Sequence, residues 1–257
     1  MNRIDDYTKL TCDIVSWICK YANDNQIKSL VVGVSGGVDS AVTSTLCAKT
    51  GLPVYAVGMP LNTKIEQETL SDAQLFWLSQ QYRVSNNINV LKPDLSDSYA
   101  KYMADLSEDL DFEYVSSPMS KANTKARFRM MTLYHIAANV NGIVVGTGNK
   151  VEDYGIGFFT KHGDGGVDIA PIADLYKTEV WELGRTLKII PDILNAKPTD
   201  GLWDDQRTDE DQIGARYTDL EEAMEKGTGP AVEIFKKFNR QNMHKMSPTP
   251  TFKLGES

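Results

Sequence analysis

The stretch of sequence that decides the fold reads Leu30-Val31-Val32-Gly33-Val34-Ser35-Gly36-Gly37-Val38-Asp39-Ser40. Its first five residues form a short, largely β-branched run, which is typical of a strand buried on both faces of a parallel sheet. Adjacent glycines then allow a tight turn, and residues 41–49 have the character of a helix. A strand, a glycine-rich turn and a helix in this order predict one unit of an α/β fold.

The rest of the chain repeats this alternation. Strands are predicted at 54–59, 88–91 and 143–145, and helices at 7–23, 66–82, 120–139 and 175–187. A polar helix or lid-like insertion is predicted at 96–110, an irregular segment at 147–168, and two helices broken at 227–230 within 209–238. This pattern predicts a doubly wound, mainly parallel sheet flanked by helices. Ligands bind at the carboxyl edge of such sheets, so the loops after Val34, Met59 and Val145 are the informative ones.

The bulk composition limits the class of protein. The 257 residues are 41% hydrophobic, carry a net charge of −8 and have a pI of about 5.0. Nucleic-acid-binding proteins usually show a basic face, so we expect no nucleic-acid partner. There is no apolar run long enough to cross a bilayer and no signal-peptide pattern at the N-terminus. The three cysteines form no Cys-x-x-Cys pair, so we expect buried free thiols in helices of a cytoplasmic protein without membrane contact.

The glycine loop has the features of a phosphate site. Gly36 and Gly37 let a ligand approach the backbone, and the following helix directs free N–H groups and partial positive charge at the loop. Ser35 and Ser40 add hydroxyl donors, whereas Asp39 would repel phosphate unless a divalent cation lay between them. The loop is neither a Walker A motif nor Gly-x-Gly-x-x-Gly. A purely structural turn, with Asp39 favouring the helix dipole, fits the two glycines alone equally well.

A second cluster of charged residues and glycines follows the predicted strand at 143–145. It runs through Glu152, Lys161, Asp164 and Asp168 to Lys177, which opens the next predicted helix. Charged loops after buried strands commonly carry function, although a solvated surface loop is the plain alternative.

Both clusters resemble one enzyme family. Ser-Gly-Gly-x-Asp-Ser at 35–40 is similar to the loop of the ATP pyrophosphatase superfamily. Gly-Thr-x-x-x-x-Glu at 146–152, Thr-Lys-His-Gly-Asp at 160–164 and Lys177 make the resemblance specific to NAD synthetases. Collinear matches are Asn123, Arg127, Arg129 and Met130, then Lys197-Pro198-Thr199, Leu202-Trp203, Asp209-Glu210 and His244-Lys245.

The resemblance implies one domain over residues 1–257 with an adenine nucleotide alpha hydrolase-like, Rossmann-like fold, whose C-terminal tail, 240–257, closes over the dinucleotide site. It implies that ATP, as co-substrate, activates the nicotinate carboxylate of deamido-NAD and that ammonia then forms the amide. The implied Mg²⁺ ligands are Asp39 and Glu152. The implied ATP contacts are Gly33, Val34, Ser35, Gly36, Gly37, Val38, Asp39, Ser40, Thr147, Lys177 and Thr199. The implied deamido-NAD contacts are Arg127, Lys161, Asp168, His244 and Lys245.

Further expectations come from the same resemblance. The family typically forms a homodimer, and the chain offers no room for an amidase domain, so free ammonia is the expected nitrogen donor. Asp164 is a candidate to take the proton from ammonium. The chain departs from the family pattern at Asp200-Gly201, at Met246 and along 62–67. The alternatives are a tRNA-modifying ATP pyrophosphatase, which would show a basic surface and often paired cysteines, and a non-catalytic nucleotide sensor.

Overall fold

A single parallel sheet organises the chain in the computed structural model, which describes residues 3–199 and 208–254. Its four strands in the described part are β1 (Ser29–Gly33), β2 (Val54–Val57), β3 (Ile88–Leu91) and β4 (Gly142–Val144). They lie in the order β3-β2-β1-β4, and every neighbouring pair is parallel. The predicted α/β class and parallel sheet are therefore confirmed.

The helices fill the connections between the strands and extend beyond the last one. They are α1 (Tyr7–Asp24), α2 (Val38–Lys49), α3 (Ile65–Gln81), α4 (Ser96–Asp109), α5 (Phe112–Val115), α6 (Pro118–Asn139), α7 (Lys177–Thr186), α8 (Pro191–Asn195), α9 (Asp209–Ile213), α10 (Tyr217–Lys226) and α11 (Val232–Met246). The predicted helices at 7–23, 66–82, 120–139 and 175–187 correspond to α1, α3, α6 and α7. The predicted insertion at 96–110 is the helix α4.

The central strand β1 is covered on both faces. Leu30 and Val32 pack with Ile18 of α1 in one hydrophobic cluster, whereas Val31 packs with Ala137 of α6 in another. Successive side chains of a strand point to opposite faces, so a strand between two helical layers is apolar at every position. Full burial of each aliphatic side chain contributes about 1.5–3 kcal/mol, which explains the unbroken run.

Two predictions about regular structure are wrong. Residues 147–168, expected to be irregular, contain a π-helix at Lys150–Ile156, whose first turn is capped by Asn149. The helix was missed because its apolar residues show no 3.6-residue period. The region expected to hold two helices holds α9, α10 and the start of α11. The predicted break at 227–230 does separate α10 from α11, but α11 continues beyond the predicted end at 238 to Met246, so the first part of the predicted C-terminal tail is helical.

The positions of the three cysteines agree only in part with the expectation of buried thiols in helices. Cys12, Cys19 and Cys47 are unpaired and lie in helices, but Cys12 is exposed and only Cys47 is fully buried. Cys12 lies two residues before Ile14, which faces the core, so it is on the opposite side of α1.

Within the described ranges, the helices are all too short or too polar to cross a membrane.

Candidate active site

A cavity of about 300 Å³ opens at the carboxyl edge of the sheet. It is bordered by the loop after β1, by Met59 and Pro60 after β2, and by Val145, Gly146, Thr147 and Gly148 after β4. Strand order reverses between β1 and β4, since the chain leaves β1 toward β2 and returns on the other side. Crevices at such switch points are where open α/β sheets bind ligands. The three loops singled out in the sequence, after Val34, Met59 and Val145, all border this cavity.

The loop between β1 and α2 forms one wall of this cavity. Gly36 has a φ of +92°, and a Cβ placed there would lie 2.8 Å from the Gln67 carbonyl oxygen and 2.9 Å from the Ser71 nitrogen. Only glycine fits this position without moving the backbone of α3. Ser40 Oγ donates to the Gly37 carbonyl at 2.9 Å and accepts from the Ser35 amide at 3.1 Å. The two serines therefore shape the loop, and the α2 N-terminus forms part of the cavity wall.

Asp39, Glu152 and Lys177 meet at the base of the cavity. The Lys177 Nζ lies 2.6 Å from Asp39 Oδ2 and 2.9 Å from Glu152 Oε1. The side chain of Lys177 is 3% exposed, and those of Asp39 and Glu152 are 16% and 15% exposed. These residues come from the first turns of α2, the π-helix and α7, so three separate segments bring one cation between two carboxylates.

Burial and mutual attraction set the ionisation of this trio in opposite directions. Burial raises the pKa of Asp39, more than the charge of Lys177 lowers it. Burial also acts to raise the pKa of Glu152, but the charge of Lys177 and the hydrogen bond from Tyr217 outweigh it, so this pKa is lowered. Burial acts to lower the pKa of Lys177, but both carboxylates raise it above its usual value. Lys177 is therefore a fixed positive charge.

Two residues that the sequence analysis did not single out hold the acidic pair in place. Asn149 is fully buried; its Oδ1 accepts the Val151 and Glu152 amides at 3.0 and 3.1 Å, and its Nδ2 donates to Asp39 Oδ1 at 3.2 Å. Tyr217 of α10 donates to Glu152 Oε1 at 2.5 Å. Asn149 could have been found as a helix-capping residue before a charged turn. Tyr217 has no signal in the sequence, because it lies 65 positions beyond Glu152.

The two carboxylates of Asp39 and Glu152 suit Mg²⁺, which also binds water and phosphate, better than a metal ion that takes all its ligands from the protein. Among the described residues, no group of three or more His, Cys, Asp or Glu side chains could hold a metal ion. Mg²⁺ in nucleotide sites binds through one or two carboxylates, and water and phosphates complete its shell. Asp39 and Glu152 already share one cationic group, the Lys177 ammonium. Their chemistry and spacing therefore fit a Mg²⁺–nucleotide site.

Asp164 and Asp153 add negative charge to the same cavity. Asp164 is open to the cavity, and its Oδ1 accepts the Thr160 amide at 2.9 Å. Desolvation of the carboxyl by the surrounding protein raises the pKa of Asp164 to about 6. Burial, and then the charge of Asp164, raise the pKa of Asp153 well above its usual value. Asp153 was not predicted; its carboxylate occupies the space where a Cβ on Gly148 would lie.

All of the predicted ATP contacts line the cavity: the loop from Gly33 to Ser40, Thr147, Lys177 and Thr199. The motif match at Leu202-Trp203 and the departure at Asp200-Gly201 lie outside the described residues. Lys177 pairs with Asp39 and Glu152 in this structure, and its contact with ATP stays a prediction.

The predicted deamido-NAD contacts do not line the cavity. Four of them gather beside it: Arg127 donates to the Lys161 carbonyl at 3.2 Å and Lys161 Nζ to the His244 carbonyl at 2.9 Å. Lys245 Nζ donates to the Phe159 carbonyl at 2.8 Å. Asp168 is separate.

Asp168 has an internal structural role. One carboxylate oxygen accepts the Tyr134 hydroxyl at 3.0 Å, and the other accepts the Val144 amide at 2.7 Å. The side chain therefore ties α6 to β4. Direct contact between Asp168 and a substrate stays a prediction.

The chain is similar to known proteins over nearly its whole length. The family model described as NAD synthase matches residues 10–250. An NH(3)-dependent NAD(+) synthetase from Carboxydothermus hydrogenoformans is 36% identical, over 93% of this chain and 95% of that one. Two solved structures have the same fold: an NMN synthetase from Francisella tularensis (TM-score 0.85, 30% identity, 97% of this chain and 100% of that one) and an NH3-dependent NAD synthetase from Campylobacter jejuni (TM-score 0.71, 24% identity, 96% and 100%). Since the family model and the relative both match over almost the whole length, this chain belongs to the NAD synthase family.

Proposed function

We propose that this chain is an ammonia-dependent NAD synthetase that uses ATP to activate the nicotinate carboxylate of deamido-NAD. The observation that carries the proposal is the meeting of Asp39, Glu152 and Lys177 at the base of a cavity whose wall is the glycine loop. The products are NAD, AMP and pyrophosphate.

The reaction has two steps. The nicotinate carboxylate attacks the α-phosphorus of ATP, which forms an adenylated deamido-NAD and expels pyrophosphate. Ammonia then attacks the carbonyl carbon of this mixed anhydride, and AMP leaves. Neither step needs a protein nucleophile, so the chain contributes by positioning two anionic substrates and neutralising their charge.

The phosphate end of ATP is assigned to the cavity. The loop from Gly33 to Ser40 lines the cavity, and its backbone N–H groups and hydroxyls would bind the phosphates. Asp39 and Glu152 would hold Mg²⁺, which supplies charge neutralisation to the triphosphate. Lys177, permanently charged, adds a second cation.

Ammonia has to be released from ammonium before it attacks. Asp164 is the proposed proton acceptor, because it faces the cavity and its pKa is raised to about 6. A carboxylate whose pKa approaches the working pH is a better general base than an ordinary one.

The dinucleotide is assigned to the surface beside the cavity. Arg127 and Lys245 donate to the carbonyls of Lys161 and Phe159, and the Lys161 side chain donates to the carbonyl of His244. The cationic side chains of Arg127, Lys161 and Lys245 therefore gather here and can meet a pyrophosphate with positive charge. The end of α11 is fixed there by Asn242, which donates to the Ile156 carbonyl at 2.8 Å. This contact supports closure of the site by residues 240–257. A single domain, a homodimer and a cytoplasmic location complete the proposal.

A second candidate acceptor is nicotinate mononucleotide. The observation that favours it is the fold match to an NMN synthetase, with a TM-score of 0.85 at 30% identity. The carboxylate chemistry is the same for both acceptors, so the two reactions differ only in the groups beyond the first ribose phosphate.

Pyrophosphate release tests both candidates. Purified protein with ATP, Mg²⁺ and ammonium receives either deamido-NAD or nicotinate mononucleotide. The proposal expects release that requires both ammonia and deamido-NAD, with kcat/KM higher for deamido-NAD. A higher kcat/KM for the mononucleotide selects the second candidate. No release with either acceptor, or release that needs neither acceptor nor ammonia, rejects both and leaves a sensor or another ATP pyrophosphatase.

A further inference from the structure

We propose that Tyr217 is a positioning residue that fixes the Glu152 carboxylate for cation binding, an inference that rests on the proposed function. Tyr217 belongs to α10, which begins 65 positions after Glu152. Tyr217 is 1% exposed, and it is not among the described residues that line the cavity. It acts through Glu152 and touches no substrate.

The hydroxyl of Tyr217 makes a directed hydrogen bond. It lies 2.5 Å from Glu152 Oε1 and 3.4 Å from Asp209 Oδ2, so its single proton goes to Glu152. Phenols stay protonated at neutral pH, and carboxylates can only accept, so the direction of donation is unambiguous.

Two donors reach the same oxygen of Glu152. Besides the Tyr217 hydroxyl, the Lys177 Nζ lies 2.9 Å from Oε1. The terminal torsion of a glutamate is broad and weakly preferred on its own. Two hydrogen bonds to one oxygen restrict that torsion, and they determine where the second oxygen of the carboxylate is directed.

The ring of Tyr217 supports the cationic partner. The Lys177 Nζ lies 5.0 Å from the centre of the Tyr217 ring, a cation–π distance. Trp181 of α7 meets the same ring edge-on, with centroids 6.0 Å apart and planes at 89°. The ring and the hydroxyl therefore act on different partners, so removing only the hydroxyl separates their contributions.

The backbone of α10 is itself held in place. The Tyr217 amide donates to Glu210 Oε1 at 2.9 Å, and the side chain packs in a hydrophobic cluster with Ile156 and Leu220. This cluster joins the π-helix that carries Glu152 to α10 and α11. A side chain anchored in this way can restrain Glu152 without itself moving.

The test is Tyr217→Phe, which keeps the ring and removes the hydroxyl. Binding of Mn²⁺ in the presence of ATP is measured by electron paramagnetic resonance, together with the Mg²⁺ dependence of pyrophosphate release. Hydrogen bonds to charged groups are strong enough that we expect Mn²⁺ affinity to fall about tenfold. The apparent KM for Mg²⁺ should rise in parallel, and the KM for deamido-NAD should stay within twofold. Tyr82→Phe, in the separate cluster around Leu78, is the control for loss of a tyrosine hydroxyl.

A double-mutant cycle with Glu152→Gln separates positioning from a general structural role. If Tyr217 acts through Glu152, removing its hydroxyl from the Glu152→Gln protein should change Mn²⁺ affinity by less than twofold. A further tenfold loss in that background, or unchanged Mn²⁺ affinity in Tyr217→Phe alone, overturns the proposal. If Tyr217→Phe folds poorly, the cycle is run on the folded fraction at low temperature, where the same two ratios decide.

The wild-type protein distinguishes this inference from the proposed function. Wild type that releases no pyrophosphate and binds no Mn²⁺ with ATP refutes the function and, with it, the role of Tyr217. Wild type that does both, beside a Tyr217→Phe protein with identical Mn²⁺ affinity, leaves the function standing and refutes only the positioning role.

Discussion

Replacement of Lys177 by methionine tests the electrostatics of the site most directly. The variant keeps an unbranched apolar side chain of nearly the same length but leaves Asp39 and Glu152 without their shared cation. At an effective dielectric constant of about 20, charges separated by 2.6 and 2.9 Å attract by about 6 kcal/mol each. The cost of burying the ammonium and the repulsion between the carboxylates offset much of this. Breaking such a buried pair typically costs about 3–5 kcal/mol.

The expected result is a large and pH-dependent loss of stability. For a chain of this size, about 3–5 kcal/mol corresponds to a fall in Tm of about 10 °C at pH 7. In the variant the two carboxylates lose their cation, so their folded-state pKa values rise above those of the unfolded chain. The folded state then binds more protons, and the deficit should shrink as the pH falls toward 5. In the wild type, the lowered pKa of Glu152 has the opposite effect: its stabilisation is lost as the pH falls through that pKa.

Thermal unfolding followed by circular dichroism between pH 5 and 8 measures both effects. Lys150→Met is the matched control, since Lys150 pairs at 2.6 Å with Asp174, whose side chain is 82% exposed. Exposed ion pairs are worth at most about 1 kcal/mol, so this variant should lose little. Mg²⁺ should restore part of the stability of Lys177→Met, because the vacated position lies between two carboxylates. An equal loss in the two variants, or a deficit that does not change with pH, would refute the electrostatic account.

Three further changes test other parts of the site. Gly36→Ala should destabilise the loop by about 1–3 kcal/mol, because it forces a strained φ and a backbone clash; ATP titration by calorimetry should show weaker binding, and wild-type affinity would contradict it. Lys161→Ala should weaken deamido-NAD several-fold and leave ATP affinity intact, which calorimetry with each ligand can check. Asp164→Asn should remove the rise of kcat with a midpoint near pH 6, measured at saturating ammonium; an unchanged profile would exclude Asp164 as the proton acceptor.

Much of the fold and part of the site follow from local sequence. The buried run at β1 and the glycines after it predict a strand that ends in a turn. Repetition of that unit predicts the parallel sheet and the edge where ligands bind. Asp39 and Lys177 could be placed at this edge because each opens a helix that follows an informative loop. Periodicity and turn chemistry are properties of neighbouring residues, so they are readable without coordinates.

The tertiary structure decided the contacts between distant segments. The sequence contains nothing that directs Tyr217 to Glu152, since the hydrogen bond depends on how α10 packs against the π-helix. The sequence of the π-helix shows no helical period, and α11 extends beyond the end predicted for it at residue 238. Lys161 was predicted as a substrate contact, but its position beside the cavity rather than in its wall depends on packing of α11. Local sequence therefore determined the strands, the loop and the charges, whereas long-range packing determined which charges face one another.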